Sequence, residues 1–319
     1  MSIIEKAVGA LGQRDAAEEA VPSTLQRAGE VKKTEKTVAP ASRSPELPHQ
    51  TANSRIIEIP FDELHKKGML TPATPRGMIA EEYRTIKRPI LRNIEGGTAS
   101  DIRSANLVMV TSALEGDGKT FSSINLALSI AMEMDKTVLF VDADVAKATA
   151  GRLLGVPRNS PGLIDVLETK GTTVGDVICR TNMEKLSILP AGRVHDKSNE
   201  LLASEGMNRL MTELSQRYSD RVIVFDSPPL LLTTEAGVLA SFVGQVVFVA
   251  SADRTPQQAV VEAIEHIGED KMVGLVLNRA RRRRIGGFRY GYGYGYGYGY
   301  GASSMDPETL AAKKSAVLP

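Results

Sequence analysis

Between residues 105 and 280 short, unbroken apolar runs rich in β-branched residues alternate with helical stretches. The runs are LVMV (107–110), TVLFVDA (137–143), LSILPA (186–191), RVIVFD (221–226), QVVFVA (245–250) and MVGLVLN (272–278). Continuous rather than alternating hydrophobicity is what a strand buried on both faces requires. Helical stretches at 119–134, 162–169, 198–218, 234–240 and 255–267 separate them. This alternation predicts an α/β fold: a doubly wound, mostly parallel sheet with helices on both faces. In such sheets ligands bind at the carboxyl ends of the strands.

The flanks follow other rules. Ile4, Val8 and Leu11 stand at i, i+4 and i+7, predicting a short amphipathic helix over 1–14 that packs on the chain's own core or docks on a partner. Residues 15–55 mix Ala, Pro, Ser, Thr and both charges without an apolar period, and are expected to be a disordered linker. Order resumes at RIIEIP, followed by FDELHKKG, a helical turn or two closed by Gly68. IAEEYRTIKRPILRNI (79–94) reads as a helix that Pro89 should kink or split. The globular domain is therefore expected over 56–280, with 281–319 a basic, Tyr/Gly-rich disordered tail.

Charge and tyrosine are both concentrated in that tail. The whole chain has a formal net charge of only +1, giving no sign of a nucleic-acid partner. From Arg279 onward eight Lys/Arg face two Asp/Glu, and six of the eight tyrosines lie between 290 and 300. No apolar run approaches the ~20 residues of a membrane span, and no secretory h-region opens the chain. A single cysteine, Cys179, agrees with a reducing compartment. Cytoplasmic location is the expectation.

Three motifs sit at strand ends. SALEGDGKT (112–120) lies between the 107–110 run and the 119–134 helix, where a phosphate-binding loop belongs. Gly116 and Gly118 let successive backbone N–H groups curl around phosphate oxygens. Lys119 would reach the β/γ-phosphates, and Thr120 would offer its hydroxyl to Mg²⁺. The strict pattern has Gly where Ala113 stands. The second motif, VLFVDADVAK, puts Asp142 and Asp144 at i, i+2, on one side of a strand end. Such a pair suits a shared Mg²⁺ or an arriving hydroxyl; capping of the next helix is the plainer alternative. The third, VIVFDSPP, tips a buried strand with Asp226, the expected Walker B acid. Together the three imply ATP binding.

With EEYRTIK ahead of the loop and the terminal tyrosine cluster, these motifs resemble the bacterial tyrosine kinase family, especially the autokinases associated with exosortase and exopolysaccharide loci. The similarity covers roughly 56–300. It implies that residues Glu115, Gly116, Asp117, Gly118, Lys119, Thr120 and Phe121 bind ATP, with Asn278 near the adenine. It further implies that Asp142 assists deprotonation of the attacking tyrosine, while Thr120, Asp144 and Asp226 organise Mg²⁺. Lys119, Asp142, Asp144 and Asp226 are thus the catalytic candidates. Two departures stand out. The family's DxDxR has Ala146 and Lys147 where Arg is expected, and its ExxRxxR oligomerisation helix appears as Glu81, Arg84 and Lys87. Lys offers a point charge rather than a planar fork. A solvated helix face with i, i+3 charge pairs is the alternative for that helix.

The resemblance makes Tyr290, Tyr292, Tyr294, Tyr296, Tyr298 and Tyr300 autophosphorylation sites, modified in trans within a homo-oligomer. It also implies a membrane-embedded co-polymerase or chain-length activator, a peripheral position at the inner face of the membrane through that partner, and control of exopolysaccharide synthesis or export. The RRRR run (281–284) is solvated, attracts an anionic membrane, or binds a neighbour's phosphorylated tail. Two other readings share the fold: a switch ATPase of the partition type and an ATP-binding scaffold. The first carries a signature Lys where this chain has Leu114, and the lone Cys179 rules out a four-cysteine iron–sulfur site within one chain.

Overall fold

The structure, a computed structural model, describes residues 55–96, 102–193 and 195–280. The expected N-terminal helix, most of the linker and the tyrosine tail lie outside the described residues. Eighteen elements follow in order: β1 (Ile56–Ile57), α1 (Phe61–Lys66), α2 (Met78–Ile94), β2 (Leu107–Ser112), α3 (Lys119–Ala131), β3 (Thr137–Asp142), α4 (Thr149–Leu153), α5 (Leu163–Glu168), α6 (Val174–Val177), β4 (Cys179–Thr181), β5 (Leu186–Leu189), α7 (Ser198–Leu202), α8 (Glu205–Arg217), β6 (Arg221–Asp226), α9 (Thr234–Phe242), β7 (Gln245–Ser251), α10 (Gln257–Glu265) and β8 (Met272–Asn278).

All eight strands form one sheet in the order β1-β4-β5-β3-β6-β2-β7-β8. Every neighbouring pair is parallel except β4 with β5. The doubly wound, mostly parallel architecture expected from the apolar runs is therefore present, and all six runs are strands. Alternate residues of each central strand feed opposite cores. Leu107, Met109, Leu139, Val141, Ile223 and Phe225 meet α8 and α9 on one face. Val108, Val110, Val138, Phe140, Val222 and Val224 meet α2 and α3 on the other. Burial on both sides is why the runs of β2, β3, β6 and β7 show no polar alternation. The run of β8, expected to be buried on both faces as well, instead lies at the sheet edge with Met272, Leu275 and Leu277 exposed, because no further strand covers it among the described residues.

The structure departs from expectation in several places. α2 runs unbroken through Pro89. Both Pro89 and Thr85, whose carbonyl loses its donor, are exposed, so solvent supplies the missing partner. The helix expected over 198–218 is two, because the Ser204 hydroxyl caps the second by accepting from the Met207 N–H at 3.3 Å. β4 was not expected; three residues of mixed character leave no readable period. Among the described residues no helix is long and apolar enough to cross a membrane.

Register sets up the chemistry. Asp142 at the end of β3 is level with Asp226 at the end of β6, and Val110 of β2 pairs with that same Asp226. The loop after β2 and both strand-tip carboxylates thus meet at the carboxyl ends of the central strands.

Candidate active site

The loop between β2 and α3 has the backbone a phosphate cradle needs. Gly116 and Gly118 have φ of 84° and 101°, a region β-carbons disfavour. At Gly118 a methyl group would also lie 2.0 Å from Nδ2 of Asn278. Ala113, where the strict pattern has Gly, is fully buried at the foot of the loop.

Asp117 is the brace of this loop. Its carboxylate accepts from the Leu114 N–H at 3.1 Å and from the Thr255 hydroxyl at 2.6 Å. Asn278 donates its Nδ2 to the Asp117 carbonyl at 2.8 Å. Residues from β8 and from the turn after β7 therefore fix the conformation of a loop more than a hundred positions earlier. Glu115 is exposed and ion-pairs with Lys147. Phe121 is half-buried and packs against the core beneath α2 and α3.

Behind the loop four charged groups are buried together. Lys119 Nζ donates to Asp144 Oδ2 at 2.8 Å. Thr120 and Ser123 donate their hydroxyls to the two oxygens of Asp226, at 2.9 and 3.0 Å. Asp142 is 0% exposed; the Gly151 N–H donates to its Oδ2 at 2.8 Å, while Oδ1 has no partner. Burial, with the Asp226 and Asp144 carboxylates nearby, pushes Asp142 up to about 8 despite the opposing Gly151 bond and Lys119 charge. Burial raises Asp226 to about 6, resisted by Lys119 and by the Thr120 and Ser123 hydroxyls.

Three buried carboxylates against one lysine leave a deficit of positive charge, which a divalent cation would relieve. The donor oxygens of Thr120, Asp144 and Asp226 are hard ligands of the kind Mg²⁺ takes. Among the described residues no group of three or more His, Cys, Asp or Glu is arranged to hold a metal by itself. A cation here would share its coordination with nucleotide phosphates, as Mg²⁺ commonly does.

Comparison with known proteins agrees with this geometry. The AAA domain family matches residues 106–267. The tyrosine-protein kinase YwqD of Bacillus subtilis is 31% identical over 215 residues, 67% of this chain and 86% of that protein. The chain belongs to the bacterial tyrosine kinase family. A putative tyrosine-protein kinase of Staphylococcus aureus, CapB, is 31% identical over 220 residues, covering 67% of this chain and 92% of its own. The kinase domain of the Escherichia coli tyrosine kinase ETK superposes with a TM-score of 0.57 at 26% identity, covering 78% of this kinase and all of that domain. The kinase is accordingly a tyrosine-protein kinase with a nucleotide-binding P-loop.

The structure brings together Lys119, Thr120, Asp142, Asp144, Asp226 and, against the loop backbone, Asn278. It separates the three residues of the α2 motif. Glu81 and Arg84 pair with each other on the exposed side, and Arg84 also donates to the Pro75 carbonyl at 2.6 Å. Lys87 is turned inward, 4% exposed, where it ion-pairs with Glu133 at 2.6 Å and donates to the Ser129 carbonyl at 2.6 Å. Ser123 and Thr255 belong to the site although sequence reasoning missed them. Ser123 stands one helical turn after Thr120, a spacing that places both on one face; Thr255 has no such local signal.

Proposed function

We propose that this kinase transfers the γ-phosphoryl group of ATP to its own tyrosines Tyr290, Tyr292, Tyr294, Tyr296, Tyr298 and Tyr300. The observation that carries this reading is the unpartnered, buried Oδ1 of Asp142 beside the P-loop lysine. A carboxylate whose affinity for a proton is raised, with one oxygen held by Gly151 and the other free, suits a phenolic proton. Asp142 takes that proton as the tyrosine oxygen bonds to phosphorus, while the bond from phosphorus to the ADP oxygen breaks. Lys119 neutralises charge on the phosphates, exchanging its contact with Asp144 for them. Mg²⁺, when bound with the nucleotide near Thr120, Asp144 and Asp226, would supply charge neutralisation and fix the phosphates in line. Glu115, Gly116, Asp117, Gly118 and Phe121 complete the nucleotide-binding segment, and Asn278 would lie near the adenine end.

A glycine-spaced tail suits this site because each phenol can be presented without ordering a fold around it. The Glu81–Arg84 pair leaves α2 an exposed charged face for contact with a second copy, whereas Lys87 serves its own fold. Homo-oligomerisation, transfer in trans, a membrane-embedded activator at the inner face of the membrane and control of exopolysaccharide export complete the proposal. Incubation with MgATP followed by intact-mass measurement tests its core. Up to six added phosphates are expected on the wild-type chain and none on Asp142→Asn; an unmodified wild-type chain that releases ADP would favour the switch ATPase instead.

A further inference from the structure

A cavity of about 240 Å³ opens directly beside Asp142. Asp142 and Gly151 lie at its inner end, and the segments 156–160 and 190–192 form its walls. Asp142 is the one carboxylate among its lining residues, but three cations line it: Lys147, Arg152 and Arg158. Their states differ. Lys147 is neutralised from behind by Glu115. Arg152 spends its guanidinium on the carbonyls of Lys147 and Ala148 and on the Thr149 hydroxyl, without a carboxylate among the described residues. Arg158 is exposed and has neither hydrogen bond nor ion pair among them. The cavity therefore runs from a buried carboxyl group to an outer part holding two guanidinium groups that no carboxylate among the described residues compensates.

Such a pocket suits a ligand that is neutral at one end and anionic at the other. A tyrosine phenol fits the Asp142 end, where a carboxyl group can exchange a hydrogen bond with a hydroxyl, while the cations of the lining stand further out. The outer end suits a phosphate of charge about −1.5 to −2, which two guanidiniums can balance and which Arg158 can grip in a bidentate manner. The tail offers this combination in one short segment, because its tyrosines alternate with glycine from 290 to 300. In an extended peptide, residues i and i+2 point to the same side, about 6.6 Å apart at ~3.3 Å per residue. The intervening glycine has no side chain to strike the pocket wall.

We infer that Arg152 and Arg158 form a phosphotyrosine subsite beside the acceptor position, so that a tail already phosphorylated at one tyrosine is the preferred substrate at the next. This rests on the tail being the acceptor, as proposed above. Modification would then spread along the tail rather than scatter: once one phosphate is in place, the next tyrosine is drawn to Asp142. Neither arginine is part of the phosphoryl-transfer machinery, so both act on substrate choice alone.

Two measurements on the full chain test the inference. The first is binding, without nucleotide, of fluorescently labelled Arg-Tyr-Gly-Tyr-Gly-Tyr-Gly and its twin carrying phosphate on the first tyrosine. Anisotropy should show the phosphopeptide binding at least tenfold more tightly, the difference shrinking as salt rises. Arg158→Ala, which removes a side chain without partners, should erase most of that difference and leave the thermal midpoint unchanged. Equal binding of the two peptides to the wild-type chain, or an undiminished difference in both Arg158→Ala and Arg152→Ala, overturns the subsite. The second is kcat/KM on the same peptides with MgATP. The phosphopeptide should be favoured about tenfold by the wild type and not by Arg152→Ala/Arg158→Ala, with the rate on the unmodified peptide unchanged. Should neither peptide be phosphorylated, the tail-kinase reading fails while the binding result still decides the subsite.

Discussion

Replacing Asp142 with Asn should abolish phosphoryl transfer and yet stabilise the nucleotide-free, metal-free kinase. The carboxyl is wholly buried and pushed up to about 8, chiefly by burial and then by Asp226. An unfolded Asp titrates near 3.9. Because the folded value is the higher one, the group's stability contribution is intact below about pH 4 and is lost as pH climbs to about 8. At pH 7 the resulting penalty is on the order of 2–4 kcal/mol. Asn keeps an oxygen for the Gly151 N–H, which donates at 2.8 Å, and carries no charge to desolvate. For a domain of this size each kcal/mol shifts the thermal midpoint by roughly 2–4 °C. Differential scanning calorimetry in a chelator should therefore place Asp142→Asn roughly 4–16 °C above wild type at pH 7. The gap should narrow as pH falls towards 4 and close below it, where the wild-type carboxyl is protonated in both states. A variant less stable than wild type at pH 7, or a gap that does not change with pH, would refute this electrostatic account of the site.

Other outcomes follow from the loop and the tail. Gly118→Ala introduces a β-carbon at φ 101° and 2.0 Å from Asn278 Nδ2, so nucleotide affinity measured by fluorescence titration should fall roughly 10- to 100-fold, in line with a strain of about 1–3 kcal/mol. Thr255→Val removes the hydroxyl that bonds Asp117 at 2.6 Å; chemical denaturation should show a loss of about 1.5–3 kcal/mol, with weaker nucleotide binding. Several phosphotyrosines would overturn the tail's local excess of six positive charges, eight Lys/Arg against two Asp/Glu from Arg279 onward. Size-exclusion chromatography with light scattering should then find the phosphorylated kinase in smaller assemblies than Lys119→Met, and equal masses would sink the idea.

What the sequence made legible was whatever is written locally. Each strand buried on both faces is a continuous apolar run, so β2, β3, β5, β6 and β7 could be read directly; β8 could be read from the same kind of run although it is an exposed edge strand. The same strands end in Asp142, Asp226 and the glycine loop, which placed the site. Contacts between distant segments were not readable. Asp117 meets Thr255 and Asn278 across 138 and 161 positions, and the cavity wall joins residues near 157 to residues near 191; periodicity carries no such information. Lys87 is a different case. It shares the inward stripe of α2 with Ala80, Tyr83 and Ile90, at spacings of three, four and three, so its burial was open to view. The charge spacing of Glu81, Arg84 and Lys87 concealed it, and the Glu133 carboxylate that makes the burial tolerable lies beyond α3. Pro89 is the converse: a local rule predicted a break, and its exposed position made the break unnecessary.

The central claim concerns where the phosphate goes, and one mixing experiment reads it directly. Isotope-labelled Lys119→Met chain, catalytically dead but with its tail intact, is incubated with unlabelled wild type and MgATP, and both tails are sequenced by mass spectrometry. Phosphate on Tyr290–Tyr300 of both the labelled and unlabelled chains, absent when Asp142→Asn replaces wild type, is the expected result. Steady ADP release with both tails unmodified would contradict the account.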